Sequence, residues 1–233
     1  MILEGFDHDE FLATYWQRQP LLIKHTGEPF ADPIEPDDLA GLACEETVES
    51  RIVAKCSDRR WQISHGPFDV ADFAGLGEKD WTLLVQAVDQ LDPDVALLKG
   101  HFDFLPGWRI DDVMVSYAST DGGVGPHYDQ YDVFLIQGMG KRRWKIGGRC
   151  DSTSPLQEGT ELRLLQEFTT VQEVVLEPGD ILYLPPRYAH HGISLGESLC
   201  YSIGFRAPSF ADLLQGFSDE LADSLNEDRR FED

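Results

Sequence analysis

The alternation of apolar and polar positions divides the chain into two textures. From Ile110 onward, short stretches rich in β-branched and aromatic residues alternate with glycine turns. They predict strands at Asp112–Tyr117, Asp132–Gln137, Arg143–Gly147, Val171–Leu176, Asp180–Leu184 and Cys200–Arg206. Many short strands at this spacing imply a sandwich or a barrel. The polar stretch from Gly147 to Leu164 reads as a surface loop. Before Ile110 the pattern is mixed. Asp9–Trp16 reads as a short amphipathic helix stopped by Pro20, and Leu21–Ile23 as a buried strand. Glu35–Ala40 carries proline and acidic residues in a first helical turn. Arg51–Ala54 and Trp61–Ile63 read as strands. Trp81, Leu84, Val85 and Val88 fall at helical spacing and predict a helix over Asp80–Leu91. After Pro208 the helical period returns with Phe210, Leu213, Leu214, Phe217 and Leu221, and the charged end from Asn226 to Asp233 reads as the beginning of a further element.

Composition narrows the class. The 233 residues allow one large domain, or a domain with a small appendage. With 42% hydrophobic and 11% aromatic residues the chain is globular, and no apolar run approaches a membrane span. The acidic start lacks the regions of a signal peptide. Cys44, Cys56, Cys150 and Cys200 show no paired spacing and fit reduced thiols, so a cytoplasmic location is expected. A formal net charge of -23 repels nucleic acid and steers toward basic partners, although it also serves plain solubility.

The candidate chemistry begins at His127-Tyr128-Asp129. On an extended strand a His-x-Asp pair presents its imidazole and carboxylate on one face. A third imidazole completes a two-histidine, one-carboxylate set with open positions, the arrangement of non-haem Fe(II) sites that activate O2. The flexible approach Gly122–Pro126 lets such a strand begin abruptly. The segment from Gly179 to His190 resembles the second cupin motif: glycine, five residues, Pro185, and a histidine five positions later. Arg187 stands where that motif usually has glycine. The spacing selects His190 over His191, because adjacent strand residues face opposite ways. His8, His25 and His101 read as structural. Taken singly, either half of this set is most often structural; in order within a strand-rich region they reinforce each other.

Such a metal site usually takes its electrons from 2-oxoglutarate, whose far carboxylate needs a cation. Lys141, Arg142 and Arg143 follow the turn Gly138-Met139-Gly140. Alternation puts Arg142 and Trp144 on one face, with Lys141 and Arg143 on the other. Spacing leaves open which face is inward, and an arginine there can bind a carboxylate through two nitrogens.

Several stretches are family-specific. GGVGPHYDQYDVFLIQGMGKRRWKIG, with WRIDDVMVSY before it and PGDILYLPPRYAHHG and YSIGFRAPS after it, resembles the JmjC subfamily of 2-oxoglutarate oxygenases. Within it, the likeness is to bacterial ribosomal oxygenases that hydroxylate an arginine of a large-subunit (50S) ribosomal protein. The N-terminal YWQRQPLLIKH and WTLLVQAVDQL carry it over nearly the whole chain. The resemblance implies a mainly β fold with flanking helices, a double-stranded β-helix (jelly roll of cupin and JmjC type) followed by a C-terminal helix. It implies a catalytic domain over residues 1–208, with the barrel from about 110. Residues 209–233 would open a helical dimerisation region that is cut short, the full-length protein being a homodimer. Fe(II), 2-oxoglutarate and O2 are the implied cofactor and cosubstrates. His127, Asp129 and His190 would hold the iron, and Arg142, with Ser116 as a weaker candidate, the 2-oxoglutarate. The target arginine would lie between Met114 and Tyr131, with Asp112 and Ser202 on its guanidinium, hydroxylated at the β-carbon. An aromatic face, a thioether and a carboxylate suit a flat cation, though each of these residues could equally serve packing or a turn. The partner implied is a basic ribosomal protein, without direct nucleic-acid binding. A JmjC histidine hydroxylase and a non-catalytic cupin-fold binding protein are the rivals. Asp112 favours arginine, and the intact triad with Arg142 argues against a mere binder.

Overall fold

A computed structural model describes residues 2–56, 60–225 and 230. Its strands are β1 (Leu21–Ile23), β2 (Ser50–Lys55), β3 (Trp61–His65), β4 (Trp81–Val85), β5 (Ile110–Ala118), β6 (Asp132–Gln137), β7 (Arg142–Arg149), β8 (Gln172–Leu176), β9 (Ile181–Leu184), β10 (Tyr188–Ser194) and β11 (Ser198–Phe205). Eight form one sheet in the order β1-β9-β6-β11-β5-β4-β2-β3, and β10-β7-β8 form a second. The two sheets face each other as the halves of a jelly roll. Helices α1 (His8–Thr14), α2 (Pro36–Leu42), α3 (Val70–Ala74) and α4 (Pro93–Leu97) belong to the N-terminal part, and α5 (Phe210–Ser224) follows the last strand.

Two apolar layers flank the large sheet. Its outer face packs on N-terminal segments through Phe11, Trp16, Phe102, Phe134, Tyr183 and Phe205. Its inner face meets the small sheet through Val133, Leu135, Trp144, Ile146, Leu176, Leu182, Leu184 and Cys200. Strands β6 and β9 are therefore buried along their whole length and read as continuous apolar runs. Gly192 on β10 has no side chain because Trp144 fills the space; an added Cβ would lie 2.7 Å from the indole. The turn between β6 and β7 needs Gly140 at φ 74°.

The predicted strands of the C-terminal half are present, with small shifts at their ends. β10, which carries the downstream histidines, was not among the predicted strands. One prediction is overturned: Asp80–Leu91 is not a helix. Residues Trp81–Val85 form β4 between β2 and β5, and only Val88–Gln90 make a single 3-10 turn. Thr82–Val85 are buried on both faces, so strand pairing overrides an apolar spacing that mimics a helix. α1 is also shorter than predicted, ending at Thr14. The charged end over 226–233 lies, apart from Arg230, outside the described residues. Among the described residues no helix is long and apolar enough to cross a membrane.

A buried polar knot fastens the N-terminal layer to the barrel. Fully buried Asp132 accepts hydrogen bonds from Tyr183 Oη (2.6 Å), Gln17 Nε2 (3.1 Å) and Arg109 Nη2 (3.2 Å), and Arg109 stacks on Trp16. Burial raises the Asp132 pKa, while these partners oppose that shift. Asp132→Ala strands Arg109 and Tyr183 and is expected to cost about 3 kcal/mol. Urea denaturation measures this, and a loss below about 1 kcal/mol would show that the knot is dispensable.

Candidate metal and cosubstrate centre

His127, Asp129 and His190 converge. Their candidate donor atoms all lie within 4.8 Å of one another. Asp129 Oδ2 is 3.5 Å from His190 Nε2 and 3.9 Å from His127 Nε2. The His-x-Asp segment is not part of a regular strand, as the sequence pattern implied. It makes a single antiparallel bridge, in which His127 N donates to the His190 carbonyl (3.0 Å) and His190 N to the His127 carbonyl (2.8 Å). Local extension is enough to turn His127 and Asp129 the same way. The residue between them turns outward: Tyr128 packs on Leu165 and Ala189, and its hydroxyl donates to the Asp151 carbonyl. The loop predicted as surface thus ends on a buried anchor, Leu164, and the next residue, Leu165, is buried against the metal-site segment.

The imidazoles are set for ligation by the backbone. His127 Nδ1 lies 3.0 Å from the Gly125 carbonyl and His190 Nδ1 2.9 Å from the Tyr188 carbonyl. A carbonyl only accepts, so each Nδ1 carries the hydrogen and each Nε2 faces Asp129. Burial, then the neighbouring His127, pushes the His190 pKa down to about 4, leaving its Nε2 lone pair bare. Bare nitrogens beside a carboxylate leave a position that a cation relieves, and this donor set suits a divalent first-row metal. His191 turns away toward Phe168.

Arg187 explains how Asp129 is held. It adopts φ +73°, the conformation for which the cupin motif uses glycine. In that turn its N–H donates to the Asp129 carbonyl at 2.6 Å and its carbonyl accepts from Cys150 N. The replacement therefore preserves the turn, at the cost of left-handed strain.

The triad opens on a cavity of about 580 Å³. Arg142 reaches into it from β7 across to the large sheet. Its Nε donates to Ser198 Oγ (2.8 Å), Nη1 to Ser116 Oγ (2.8 Å), and Nη2 to the Ser116 and Ser198 carbonyls (2.9 and 3.1 Å). These take four of five N–H donors. Burial lowers its pKa, and no carboxylate offsets the charge among the described residues. Lys141 and Arg143 lie on the other face, paired with Glu177 and Glu173. The alternation was right, and the structure decides that Arg142 is inward. Ser116 stands behind the guanidinium, its hydroxyl engaged with Arg142 and the Cys200 carbonyl.

At the other end of the floor lies Asp112, also on β5. Its Oδ2 accepts from Gln86 Nε2 (2.7 Å) and Ala87 N (2.8 Å). Burial, the largest influence, raises its pKa; Asp111 and Asp89 push the same way, and no cation among the described residues opposes them. Met114, Tyr131 and Ser202 line the same cavity. Arg206 stacks over Tyr131 at 5.3 Å and pairs with Asp111 at 2.6 Å. All the residues singled out from the sequence are thus brought together. Gln86, Ala87, Asp111 and Arg206 were missed. The first two fell inside the stretch read as helix, and the others carry no motif.

A jelly roll with a His-x-Asp…His triad defines a class of metal-dependent double-stranded β-helix proteins. The model of the JmjC domain matches residues 97–213, and the chain belongs to that family. It is 47% identical over 210 residues to Ribosomal protein uL16 3-hydroxylase of Escherichia coli (strain K12), covering 90% of this chain and 55% of that protein. It is 41% identical over 209 residues to Probable ribosomal oxygenase of Haemophilus influenzae, covering 89% of this chain and 52% of that protein. The chain spans little more than half the length of these relatives. The solved structure of E. coli ycfD superposes with a TM-score of 0.90 at 43% identity, covering 98% of this chain and 60% of that one. YcfD in complex with cobalt and 2-oxoglutarate gives 0.86 at 44% identity, covering 98% and 59%.

Arg187→Gly, which relieves the left-handed strain, is expected to stabilise the chain by about 1 kcal/mol. Chemical denaturation reads this. Unchanged or lower stability would mean that contacts of the arginine side chain outweigh the strain.

Proposed function

We propose that this chain carries an Fe(II)- and 2-oxoglutarate-dependent oxygenase activity that hydroxylates the β-carbon of an arginine in a basic large-subunit ribosomal protein. One observation carries the reading: the cavity holds a buried cation and a buried carboxylate, neither with an ionic partner among the described residues, in a pocket that the metal-type triad also lines. Ser116, which holds Arg142, and Asp112 are inward residues of one strand, about 13 Å apart, with Met114 between them. A pocket with those two unmet charges suits an anionic cosubstrate at one end and a cationic side chain at the other. The E. coli relatives support both halves, one named for hydroxylating uL16 and one solved with cobalt and 2-oxoglutarate.

His127, Asp129 and His190 would hold the iron. When bound, iron and 2-oxoglutarate supply the oxidising chemistry, in which O2 is consumed, 2-oxoglutarate becomes succinate and CO2, and one oxygen atom goes to the substrate. Arg142 receives the far carboxylate of 2-oxoglutarate, with Ser116 and Ser198 fixing its fork. Val133, Leu135 and Trp144 form the apolar side that excludes water. Asp112 receives the substrate guanidinium, Tyr131 and Met114 pack on its plane, and Ser202 offers a hydroxyl. The net charge of -23 draws a basic protein and repels RNA. A ribosomal target places the activity in the cytoplasm. We read α5, whose Phe210, Leu213, Leu214, Phe217 and Leu221 are exposed, as the opening of a dimerisation region.

The test is intact-mass analysis of arginine peptides from basic ribosomal proteins, incubated with the chain, Fe(II) and 2-oxoglutarate. A gain of one oxygen atom is expected. Alanine at His127, Asp129 or His190 should remove both this gain and the binding of Co(II) measured by calorimetry, whereas His191→Ala should keep both. Oxygen gain on histidine peptides alone would reassign the substrate.

Arg142→Ala should weaken 2-oxoglutarate binding to Co(II)-loaded protein by about 100-fold, the scale of stranding one partner of a desolvated ion pair. The affinity for Co(II) itself should stay within about threefold, the spread left to indirect effects. An unchanged 2-oxoglutarate affinity would mean that another cation holds the carboxylate.

A further inference from the structure

Asp112 cannot offer both oxygens to a guanidinium. Its Oδ2 already takes two N–H donors, from the Gln86 amide at 2.7 Å and the Ala87 backbone at 2.8 Å. A carboxylate oxygen has two lone pairs in its plane, so Oδ2 is filled and Oδ1 alone remains. A guanidinium edge presents two parallel N–H donors and gains most when both find acceptors. Ser202 lines the same cavity and offers one hydroxyl oxygen, and a further acceptor beside Asp112 completes the edge.

Gln86 supplies it. An ionised carboxylate only accepts, so the Gln86 atom facing Oδ2 is the nitrogen, and the assignment of its amide follows from the hydrogen bond. Its Oε1 accepts no hydrogen bond among the described residues, yet it is not one of the enclosed, unpartnered atoms, and Gln86 lines the cavity. The residue is also held firmly. Gln86 N donates to the Glu49 carbonyl at 2.9 Å, and the next residue, Ala87, takes φ 53° to aim its own N–H at Asp112. A non-glycine residue in that conformation is strained, and here the strained turn delivers two donors to one carboxylate oxygen.

We propose that Gln86 is a substrate-contacting, specificity-determining residue, whose amide oxygen and Asp112 Oδ1 together receive the two-nitrogen edge of the target arginine. This rests on the arginine-hydroxylase reading and adds to it a further acceptor beside Asp112 and Ser202. A lysine ammonium satisfies Oδ1 alone and gains less from the pair.

The experiment measures fluorescence anisotropy of labelled peptides, with arginine or lysine at the target position, on the full chain loaded with Co(II) and 2-oxoglutarate. Gln86→Met keeps the side-chain length but removes both donor and acceptor. Gln86→Glu keeps an acceptor oxygen and adds a negative charge beside Asp112. The inference expects Met to weaken the arginine peptide by about tenfold or more and the lysine peptide by less than about threefold, one charge-assisted hydrogen bond being at stake. Glu should retain arginine binding within about threefold of the parent, since an acceptor remains. Affinity for 2-oxoglutarate, unchanged in both variants, certifies an intact pocket. Parent-like arginine binding by Met overturns the proposal. Glu as weak as Met also overturns it, because Gln86 would then act only by propping Asp112. A parent that binds 2-oxoglutarate but no arginine peptide overturns the arginine reading itself, and this inference with it.

Discussion

A guanidinium with no carboxylate partner among the described residues crosses from one sheet to the other. Arg142 leaves β7 and ends on the serines of β5 and β11, so the two layers are tied by a charge that neutral dipoles alone support. Burying a cation this way is costly unless something negative arrives. Around it the architecture is ordered. β5 and β11 must be neighbours to present Ser116 and Ser198 together, and Gly192 must be bare to seat Trp144, two residues along the arginine's own strand.

The same economy governs the metal-type triad. One antiparallel bridge between His127 and His190 sets their separation, and two local carbonyls set their tautomers. Asp129 is fixed through its own backbone by the turn at Arg187. Ligand geometry thus rests on main-chain hydrogen bonds, which do not depend on side-chain rotamers. At the far end of β5, a strained turn at Ala87 does the equivalent for Asp112. Each charged group in the pocket is held from behind, so that its free face is turned to the cavity in advance of any ligand.

Much of this was legible in the residues. Every strand of the C-terminal half but β10 was marked by short β-branched runs between glycine turns, and His190 was distinguished from His191 by spacing. The stretch Asp80–Leu91 misled for a physical reason. A strand covered on both faces shows no alternation, and Trp81, Leu84, Val85 and Val88 then look helical by chance. That error hid Gln86, because a residue within a supposed helix gives no reason to look across to Asp112. Arg206 and Asp111 were invisible for a different reason: their pairing over Tyr131 joins two strands far apart in sequence.

By itself the sequence determined which chemistry was present and in what order: a His-x-Asp pair, a histidine at cupin spacing, a basic run with one residue out of phase with its neighbours, and a family likeness. Alternation even separated Arg142 from Lys141 and Arg143. Which of those faces is inward was decided only by the tertiary structure, since facing depends on where the second layer lies. So were the unmet charges of Arg142 and Asp112, because a residue type does not reveal whether its partner is a protein group. The filling of one Asp112 oxygen, and hence the place left for Gln86, followed from a turn that no local pattern announced.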